Sequence, residues 1–398
     1  MREILERFKK YIAIETMSDP NADVYPSTES QREFGSFLVK DLLEIGIEDA
    51  MQDENGVVYA HIDNKKEKTI GLIAHMDTAP TIQGGLKNPK LINKYDGSVI
   101  KLNEKYSMSK EDFPSLETVI GEDILVTDGE HLMGGDDKAG IAIIVEFAKY
   151  FISHKEEFNY NLAISFTCDE EIGRGASKFN VERMNADVAY TLDGESIYEA
   201  NFENFNAASA EVEIDGIGVH PGMAYGVMIN ALLVAMEFHL MLPKDMIPSK
   251  TKDHEGFIHL EEFKGDVEKA KLSYILRDHD TELLKEKKQM LIKAKEEIEK
   301  RYPKVKIELN IKDEYRNMHD YFINDMEAIN LINKAYISSL TKLKYEPIRG
   351  GTDGATITYM GLPCPNLGTG DFNPHGRFEF VSITQMEKMV DILKDLFH

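Results

Sequence analysis

Helical and strand-like hydrophobic patterns alternate along the first half of the chain. In order, they are helices at 2–15 and 28–46, strands at 57–62 and 69–74, a helix at 141–151, and strands at 162–167 and 188–192. The run 69–74 is apolar at almost every position, which is typical of a central strand buried on both faces. Thr28 and Gln31 fit a capping box at the start of the second helix. The alternation predicts an α/β fold with a mixed, mostly parallel sheet and helices on both faces.

The pattern changes near residue 206. Strands are predicted at 208–214, 256–263, 271–277 and 305–311, and helices at 227–242 and 281–301. The order β-α-β-β-α-β is that of a ferredoxin-like α+β unit. Amphipathic helices at 325–340 and 384–397 then return to the first pattern. We therefore expect one domain formed by 1–206 and 320–398, with a second domain inserted at 207–319.

One stretch follows neither pattern. Residues 78–117 are polar, rich in glycine, proline and asparagine, and without clear periodicity. A connection inside a compact domain is usually only a few residues long, so a segment of this length is expected to have a functional role. We refer to it below as the 78–117 segment.

The composition favours a globular protein and argues against nucleic-acid and membrane partners. With 398 residues, of which 42% are apolar, the chain can bury a large core. The formal net charge of −24 repels phosphate and argues against nucleic acids and anionic membranes as partners. No stretch approaches the roughly 18 apolar residues of a membrane span, and the start is amphipathic rather than a signal peptide, so a cytoplasmic location is expected. Cys168 and Cys364 are too few for a disulfide framework.

Side chains that can bind metals follow the predicted strands. They are His75 and Asp77 after 69–74, Glu170 and Glu171 after 162–167, and Asp193 after 188–192, with Asp136 before a helix and His375 in a later glycine-rich loop. The carboxyl ends of parallel strands share one sheet edge, where ligands bind. Histidine and carboxylate ligands without thiolates suit zinc or a similar divalent ion, and a shared carboxylate allows a site with two ions.

Each of these residues has an ordinary explanation when taken alone. A histidine at a strand end is usually just hydrogen-bonded, an Asp-Asp pair before a helix is usually a cap, and a Glu-Glu pair is usually a solvated turn. Their joint occurrence at one predicted edge favours a metal site. Within the pair, one glutamate can hold a metal while its neighbour carries a proton.

Several segments together resemble a known family. They are His75-Met76-Asp77, Gly135-Asp136-Asp137-Lys138-Ala139-Gly140, Asp169-Glu170-Glu171-Ile172-Gly173, Leu192-Asp193-Gly194 and Asn373-Pro374-His375-Gly376. This set is similar to the co-catalytic dizinc peptidases that include glutamate carboxypeptidase and succinyl-diaminopimelate desuccinylase. Further stretches, among them Phe202-Glu203-Asn204-Phe205, Val219-His220-Pro221-Gly222 and Arg349-Gly350-Gly351-Thr352-Asp353-Gly354, resemble the bacterial aminotripeptidases of that family. The similarity runs from end to end.

The resemblance implies a role for each residue of the site. One divalent ion, expected to be Zn²⁺, would be held by His75, Asp136 and Asp193. The other would be held by Asp136, Glu171 and His375, so that Asp136 is shared. Asp77 would accept a hydrogen bond from the far nitrogen of His75, and Glu170 would take a proton from the attacking water. Cys168 is then interpreted as a packing residue rather than a nucleophile.

The resemblance also implies roles for the inserted domain. It would serve as a lid and a dimerisation surface, and His220 would help to stabilise the oxyanion, in some relatives by reaching across to the partner subunit. Arg277 and Arg349 would bind the terminal carboxylate of a peptide, for which the guanidinium fork is suited. The alternative for each arginine is an ordinary surface salt bridge.

The expected function is therefore that of an aminopeptidase with two divalent metal ions, acting on short peptides with a free N-terminus, above all tripeptides. Its other expected partner is a second copy of the chain, joined through the lid domain. Two alternatives stay open: a dipeptidase or N-acyl-amino-acid amidohydrolase with the same metal centre, and a catalytically silent binding protein on the same fold.

Overall fold

The computed structural model describes residues 2–398. The chain forms two compact units. The first comprises the residues up to Phe202 together with Asp320–Glu346 and Thr352–His398, and the second comprises Glu203–His319 and Pro347–Gly351. The second unit thus takes in a short later segment in addition to the continuous insertion. We refer to it as the inserted unit.

The elements of both units are numbered in chain order. The helices are α1 (Glu3–Ile12), α2 (Glu29–Glu44), α3 (Ser115–Thr118), α4 (Gly135–Ser153), α5 (Val181–Met184), α6 (Ala231–Leu240), α7 (Thr281–Arg301), α8 (His319–Phe322), α9 (Glu327–Ser338), α10 (Asp353–Tyr359) and α11 (Ile383–Phe397). The strands are β1 (Met51–Gln52), β2 (Val58–Ile62), β3 (Thr69–His75), β4 (Lys90–Ile92), β5 (Ile100–Lys101), β6 (Ser107–Met108), β7 (Ile124–Val126), β8 (Asn161–Thr167), β9 (Val188–Gly194), β10 (Glu199–Asn201), β11 (Asn206–Asp215), β12 (Phe257–Gly265), β13 (Lys269–Asp278), β14 (Lys306–Tyr315), β15 (Lys344–Tyr345), β16 (Asn366–Gly368), β17 (Asp371–Phe372) and β18 (Phe380–Ser382).

The first unit is built on a mixed sheet in the order β1-β2-β8-β3-β9-β16-β10-β15. β3 lies between β8 and β9 and is parallel to both, whereas β2 is antiparallel to β8. From Ile70 to His75 every residue of β3 is buried, as its nearly continuous apolar sequence predicts for a strand covered on both faces. The carboxyl ends of β3, β8 and β9 therefore share one edge of the sheet.

Helices cover both faces of this sheet. On one face α4, whose residues Ala139–Val145 are all buried, packs against β3 and β9, and α1 and α11 pack against α4. On the other face, Ile73 of β3 and Ala163 of β8 share a core cluster with Met184 of α5 and Ile357 of α10. Helix α4 is apolar on almost every side, and such a helix must be covered by other elements all round. The predicted fold class is confirmed.

The 78–117 segment is folded despite its lack of periodicity. It contributes β4 to a small antiparallel sheet in the order β17-β18-β7-β4, and β5 pairs with β6 in a separate hairpin. Tyr95 and Leu116 of the segment share a buried cluster with Phe372 and Phe380, which lie in β17 and β18. The segment is therefore ordered by packing on residues about 270 positions later in the chain rather than by a local pattern.

The inserted unit has the predicted β-α-β-β-α-β order, with β11, α6, β12, β13, α7 and β14. Its antiparallel sheet runs β12-β13-β11-β14. Along β13 every second residue is buried, from Ala270 to Asp278, which is the period-two pattern of a sheet with one covered face. Asp280 caps α7 by accepting hydrogen bonds from the main-chain N–H groups of Glu282 and Leu283, which is why that helix starts at Thr281.

The predicted capping box at α2 is wrong. Thr28 occupies the N-cap position, but its side chain accepts no hydrogen bond from a main-chain N–H of the helix and instead donates one to the Met17 carbonyl. The Gln31 amide donates to Asp169 Oδ1 at 2.7 Å, and its oxygen accepts from the Asp169 N–H at 3.0 Å. Two tertiary contacts have therefore replaced the local one.

Candidate metal centre

The site is built where three parallel strands end. His75 is the last residue of β3, and Asp193 lies one residue before the end of β9. After β8 the chain turns through Asp169, whose φ of 59° is left-handed, into a single 3₁₀ turn at Glu170–Ile172. Gln31 of α2 and Ser27, just before that helix, donate hydrogen bonds to the Asp169 carboxylate, so this turn is anchored at the start of α2. The anchored turn fixes where the Glu170-Glu171 pair begins.

Asp136 stands between two histidines. Its Oδ1 lies 2.8 Å from His75 Nε2, and its Oδ2 lies 3.1 Å from His375 Nε2. His75 Nε2 is also 3.4 Å from Asp193 Oδ1, and His375 Nε2 is 2.9 Å from Glu171 Oε2. The five predicted metal ligands therefore lie close together, and Asp136 is next to both histidines. Their roles as ligands stay a prediction.

The donor set fits divalent cations. One potential ligand atom from each of His75, Asp136 and Glu171 lies within 4.8 Å of the other two. Glu171 Oε1 is buried and has no hydrogen-bond partner among the described residues, which leaves a carboxylate oxygen free for a cation. Nitrogen and oxygen donors from imidazole and carboxylate groups, without thiolate, are ligands typical of zinc.

The pKa values of these side chains are shifted because several carboxylates lie close together in a buried site. Burial raises the pKa of Glu171 to about 7, and the charge of Asp136 adds to it. The pKa of Asp193 rises to about 6, mainly through burial. Hydrogen bonds with Asp136 and Glu171 raise the pKa of His375 to about 10. In the protein alone, protons shared with the histidines compensate the carboxylates, and divalent cations would take over that compensation.

Glu170 and Asp77 complete the group. Burial raises the pKa of Glu170 well above its usual value, and the charge of Asp193 adds to the shift. The Asp77 carboxylate accepts the main-chain N–H groups of Glu170 at 3.0 Å and Glu171 at 3.2 Å. His75 Nδ1 lies 3.0 Å from the Asp77 carbonyl oxygen and 3.5 Å from its carboxylate. Asp77 thus holds the glutamate pair as well as facing the histidine.

Comparisons with known proteins agree with this geometry. The protein-family model described as Peptidase family M20/M25/M40 matches residues 126–398. The chain belongs to this family. Peptidase T of Clostridium perfringens strain 13 is 45% identical over 399 residues, covering 100% of this chain and 98% of the relative. Peptidase T of Bacillus subtilis is 43% identical, covering 99% and 97%. The resemblance inferred from the motifs is confirmed.

Solved structures share the fold of this M20 peptidase. A tripeptidase from Staphylococcus aureus has a TM-score of 0.77 at 20% identity, covering 99% of this chain and 96% of that one. The aminopeptidase PepT from Bacillus cereus has a TM-score of 0.76 at 18% identity, covering 99% and 97%. A dinuclear metal binding peptidase of the M20 family from Bacillus subtilis has a TM-score of 0.67 at 13% identity, covering 99% and 96%. Across residues 2–398, no helix has both the length and the apolar character needed to cross a membrane.

Two carboxylates that support the M20 site were missed in the sequence. Glu379 is fully buried and accepts four consecutive main-chain N–H groups, from Met133 to Asp136, at 2.6 to 3.2 Å. Asp137 accepts the N–H of His75 at 3.2 Å and that of Gly140 at 3.1 Å. A glycine pair before a polar helix start signals a loop whose N–H groups need an acceptor. Nothing local identifies an acceptor more than 240 residues away.

The three substrate-binding candidates lie in the inserted unit. His220 Nδ1 accepts the Gly222 N–H at 3.2 Å. The Arg277 guanidinium donates to the Leu276 carbonyl at 2.9 Å and lies 5.2 Å from the centre of the Tyr315 ring. These two roles stay predictions.

Arg349 reaches the same unit from the later segment of the chain. Its Nη1 donates to the carbonyls of Asp253 at 2.6 Å and Glu255 at 2.9 Å, and its Nη2 donates to Thr251 Oγ1 at 3.2 Å. The guanidinium also lies 5.1 Å from the centre of the Phe205 ring. Arg349 therefore holds the 251–255 loop, and its predicted role in binding a carboxylate is not tested by these contacts.

Proposed function

We propose that this chain is a metal-dependent aminopeptidase that removes the N-terminal residue from short peptides, above all tripeptides. The observation that carries the proposal is Asp136, with one oxygen facing the histidine of each ligand set. Relatives named Peptidase T that match the chain from end to end support the choice of substrate.

The proposed cofactors are two divalent ions, most naturally Zn²⁺. His75, Asp136 and Asp193 would hold one ion, and Asp136, Glu171 and His375 the other. When bound, such cations polarise the scissile carbonyl, stabilise the oxyanion and lower the pKa of water. Glu171 Oε1, which has no hydrogen-bond partner in the described part of the chain, supports this assignment.

Glu170 is the proposed general base. It takes a proton from the attacking water and later gives it to the departing amine. Support comes from its burial beside Asp193, which raises its pKa and hence its affinity for that proton. The main-chain hydrogen bonds to Asp77 keep the turn that carries Glu170 in one position. No nucleophilic side chain is needed, and Cys168 fits this view because burial raises the pKa of its thiol well above the usual value.

In this proposal the inserted domain, residues 207–319, acts as a lid on the catalytic domain formed by 1–206 and 320–398. His220 stabilises the oxyanion, and Arg277 and Arg349 bind the terminal carboxylate of the peptide. Arg349 donates three N–H groups to the 251–255 loop, whereas Arg277 donates two, to the carbonyls of Ala208 and Leu276. Arg277 therefore keeps more donors for a substrate carboxylate.

A second copy of the chain is the proposed protein partner. Helix α6 is apolar on its outer side as well, with Leu233 58%, Met236 48% and Leu240 61% exposed. Next to it along the chain, Met223 and Tyr225 are also exposed. Apolar patches of this kind mark interaction surfaces. The cytoplasm is the proposed location, and the net charge of −24 suits solubility there.

One assay tests the proposed activity. The metal-reconstituted protein is offered free di-, tri- and tetrapeptides beside an N-acetylated tripeptide, with a chelator as control. We expect the free tripeptide to be cleaved fastest, the acetylated one not at all, and all activity to be lost with the chelator. Equal cleavage of the acetylated tripeptide would overturn the aminopeptidase assignment in favour of an amidohydrolase, and a preference for dipeptides would indicate a dipeptidase.

A further inference from the structure

The loop that carries His375 has an unfavourable backbone. It joins β17 to β18, and both Asn373 and His375 have positive φ, at 56° and 63°. Left-handed conformations are costly for residues other than glycine and persist only where the surroundings impose them. The His375 side chain is 48% exposed, so packing around the imidazole itself contributes little to holding it. Apart from the contacts of the ring nitrogen with Asp136 and Glu171, the loop must be fixed by contacts of its other residues.

The 78–117 segment makes direct polar contacts with the loop. Thr81 Oγ1 donates a hydrogen bond to the His375 carbonyl at 3.0 Å. Ser115 Oγ donates to Asn373 Oδ1 at 3.0 Å, while Asn373 Nδ2 donates to the Phe378 carbonyl at 3.2 Å. The Asn373 amide therefore joins the two sides of the loop, and Ser115 sets the orientation of that amide.

Aromatic contacts hold the returning side of the same loop. The rings of Phe113 and Phe378 are 4.7 Å apart between centroids, and the Tyr106 ring meets Phe378 edge-on at 6.0 Å. The Arg377 guanidinium lies 4.5 Å from the centre of the Tyr106 ring and donates to the Gly129 carbonyl at 3.1 Å. Residues of the 78–117 segment thus contact the loop before, at and after His375.

We infer that the 78–117 segment is a positioning device for His375 and thereby sets the affinity of one metal ion. The ion concerned is the one proposed to lie between Asp136, Glu171 and His375, so the inference rests on the proposed metal centre. Groups that orient a ligand without touching the metal typically change metal affinity by about 10 to 100-fold. The other ion does not depend on His375, so loosening the loop should weaken the two ions unequally.

The test measures metal retention in the full-length, zinc-loaded protein by titration with EDTA, with zinc content as the readout. Asn373→Gly removes the amide but keeps a residue that adopts positive φ freely. Ser115→Ala removes the hydroxyl and leaves the loop backbone unchanged, and Ser115→Thr restores a hydroxyl. We expect Asn373→Gly and Ser115→Ala to release one zinc at about tenfold lower EDTA, with the second zinc and the melting temperature of the metal-free protein close to the parent. Ser115→Thr should recover part of the loss.

The matched control is Ser109→Ala. It removes a hydroxyl of the same segment that donates to the Asp112 carboxylate at 2.8 Å and accepts the Asp112 N–H at 3.3 Å. This variant should leave both zinc ions as in the parent. Parent-like retention of both ions in Asn373→Gly and Ser115→Ala would overturn the inference. So would equal loss of both ions.

His375→Ala separates the inference from the proposal beneath it. If that variant loses one zinc while Asn373→Gly and Ser115→Ala keep both, only the positioning role fails. If His375→Ala itself keeps both zinc ions at the parent EDTA midpoint, His375 is not a ligand, and the proposed metal centre fails with it.

Discussion

At the scale of single residues, the adjacent glutamates are in different surroundings. Glu171 Oε2 lies 2.9 Å from His375, and Glu171 Oε1 has no hydrogen-bond partner within residues 2–398. Glu170, by contrast, is buried near the charge of Asp193. Both N–H groups are held by one carboxylate, that of Asp77. Two adjacent glutamates thus lie in different surroundings, and the proposal gives them different roles: Glu171 would hold a cation and Glu170 would carry a proton.

Replacing each glutamate by glutamine should therefore give different defects. Glu170→Gln is expected to keep both metal ions and to lower kcat by about 10² to 10⁴-fold, because general-base catalysis contributes that much. Glu171→Gln should lose one metal ion, since the amide is a weaker ligand than the carboxylate. Metal content and steady-state kinetics measured together check both expectations. Equal metal loss in the two variants would contradict the division of roles.

Arg277 can be tested with a substrate that lacks the group it is proposed to bind. Arg277→Ala should raise KM for a free tripeptide by roughly ten to 100-fold, because a hydrogen bond to a charged group contributes about 1.5–3 kcal/mol. The corresponding tripeptide amide has no terminal carboxylate, and its KM should change little. The two KM values are compared in parent and variant. A similar rise for both substrates would mean that Arg277 does not read the carboxylate.

At the scale of elements, helices α4 and α6 differ in how much of their apolar surface the single chain buries. α4 is apolar almost all round and is enclosed within the first unit by β3, β9, α1 and α11. α6 is also apolar on most sides, yet Leu233 and Leu240 stay more than half exposed in the single chain. The fold therefore buries the apolar side chains of α4 and leaves several of those of α6 exposed. This is why α6 is proposed as a contact between two copies of the chain.

A charge on α6 should shift the oligomeric state. The double variant Leu233→Glu, Leu240→Glu is expected to sediment as a monomer at concentrations where the parent is a dimer, because two carboxylates would have to be buried in the interface. Sedimentation velocity over a range of concentrations measures this. Ile337→Glu, on an exposed position of α9 in the first unit, is the control and should behave like the parent. A parent that is monomeric throughout would contradict the proposed dimer.

At the scale of the whole molecule, the charge of the site links metal binding to stability. Asp136, Glu170, Glu171 and Asp193 lie at one edge of the sheet, and burial raises the pKa of the last three. Without cations, only His75 and His375 among residues 2–398 compensate these four carboxylates, so the cluster costs folding free energy because buried charges are favourable only when they are paired. Bound metals would reverse that cost at the junction of three central strands.

Removing the metals should therefore lower the melting temperature as well as the activity. A ligand that binds only the native state adds about 2.7 kcal/mol when its concentration is 100 times Kd. We expect the apo protein, prepared with a chelator, to melt several degrees below the zinc-loaded form and to recover on addition of zinc. Differential scanning calorimetry measures both forms. If the zinc-loaded form has its full metal content and still melts at the same temperature as the apo form, the link between metal binding and stability is contradicted.

The sequence by itself determined the fold class and most of the elements. The hydrophobic periodicity of a helix or strand can be recognised within roughly ten to twenty consecutive residues. Helix α7 accordingly begins and ends at the predicted residues 281 and 301, and β3 is central and buried as its apolar run implied. The residue types at the strand ends also indicated the chemistry, because imidazole and carboxylate groups at one sheet edge have few other uses.

Only the tertiary structure decided the contacts that hold the site in place. Glu379 accepts the N–H groups of the loop before Asp136, Gln31 forms hydrogen bonds with Asp169, and the 78–117 segment packs on the His375 loop. Arg349 joins the inserted unit from a separate stretch of chain. The reason is physical: a buried acceptor must find a donor, but no local period records which distant segment supplies it once the chain is folded.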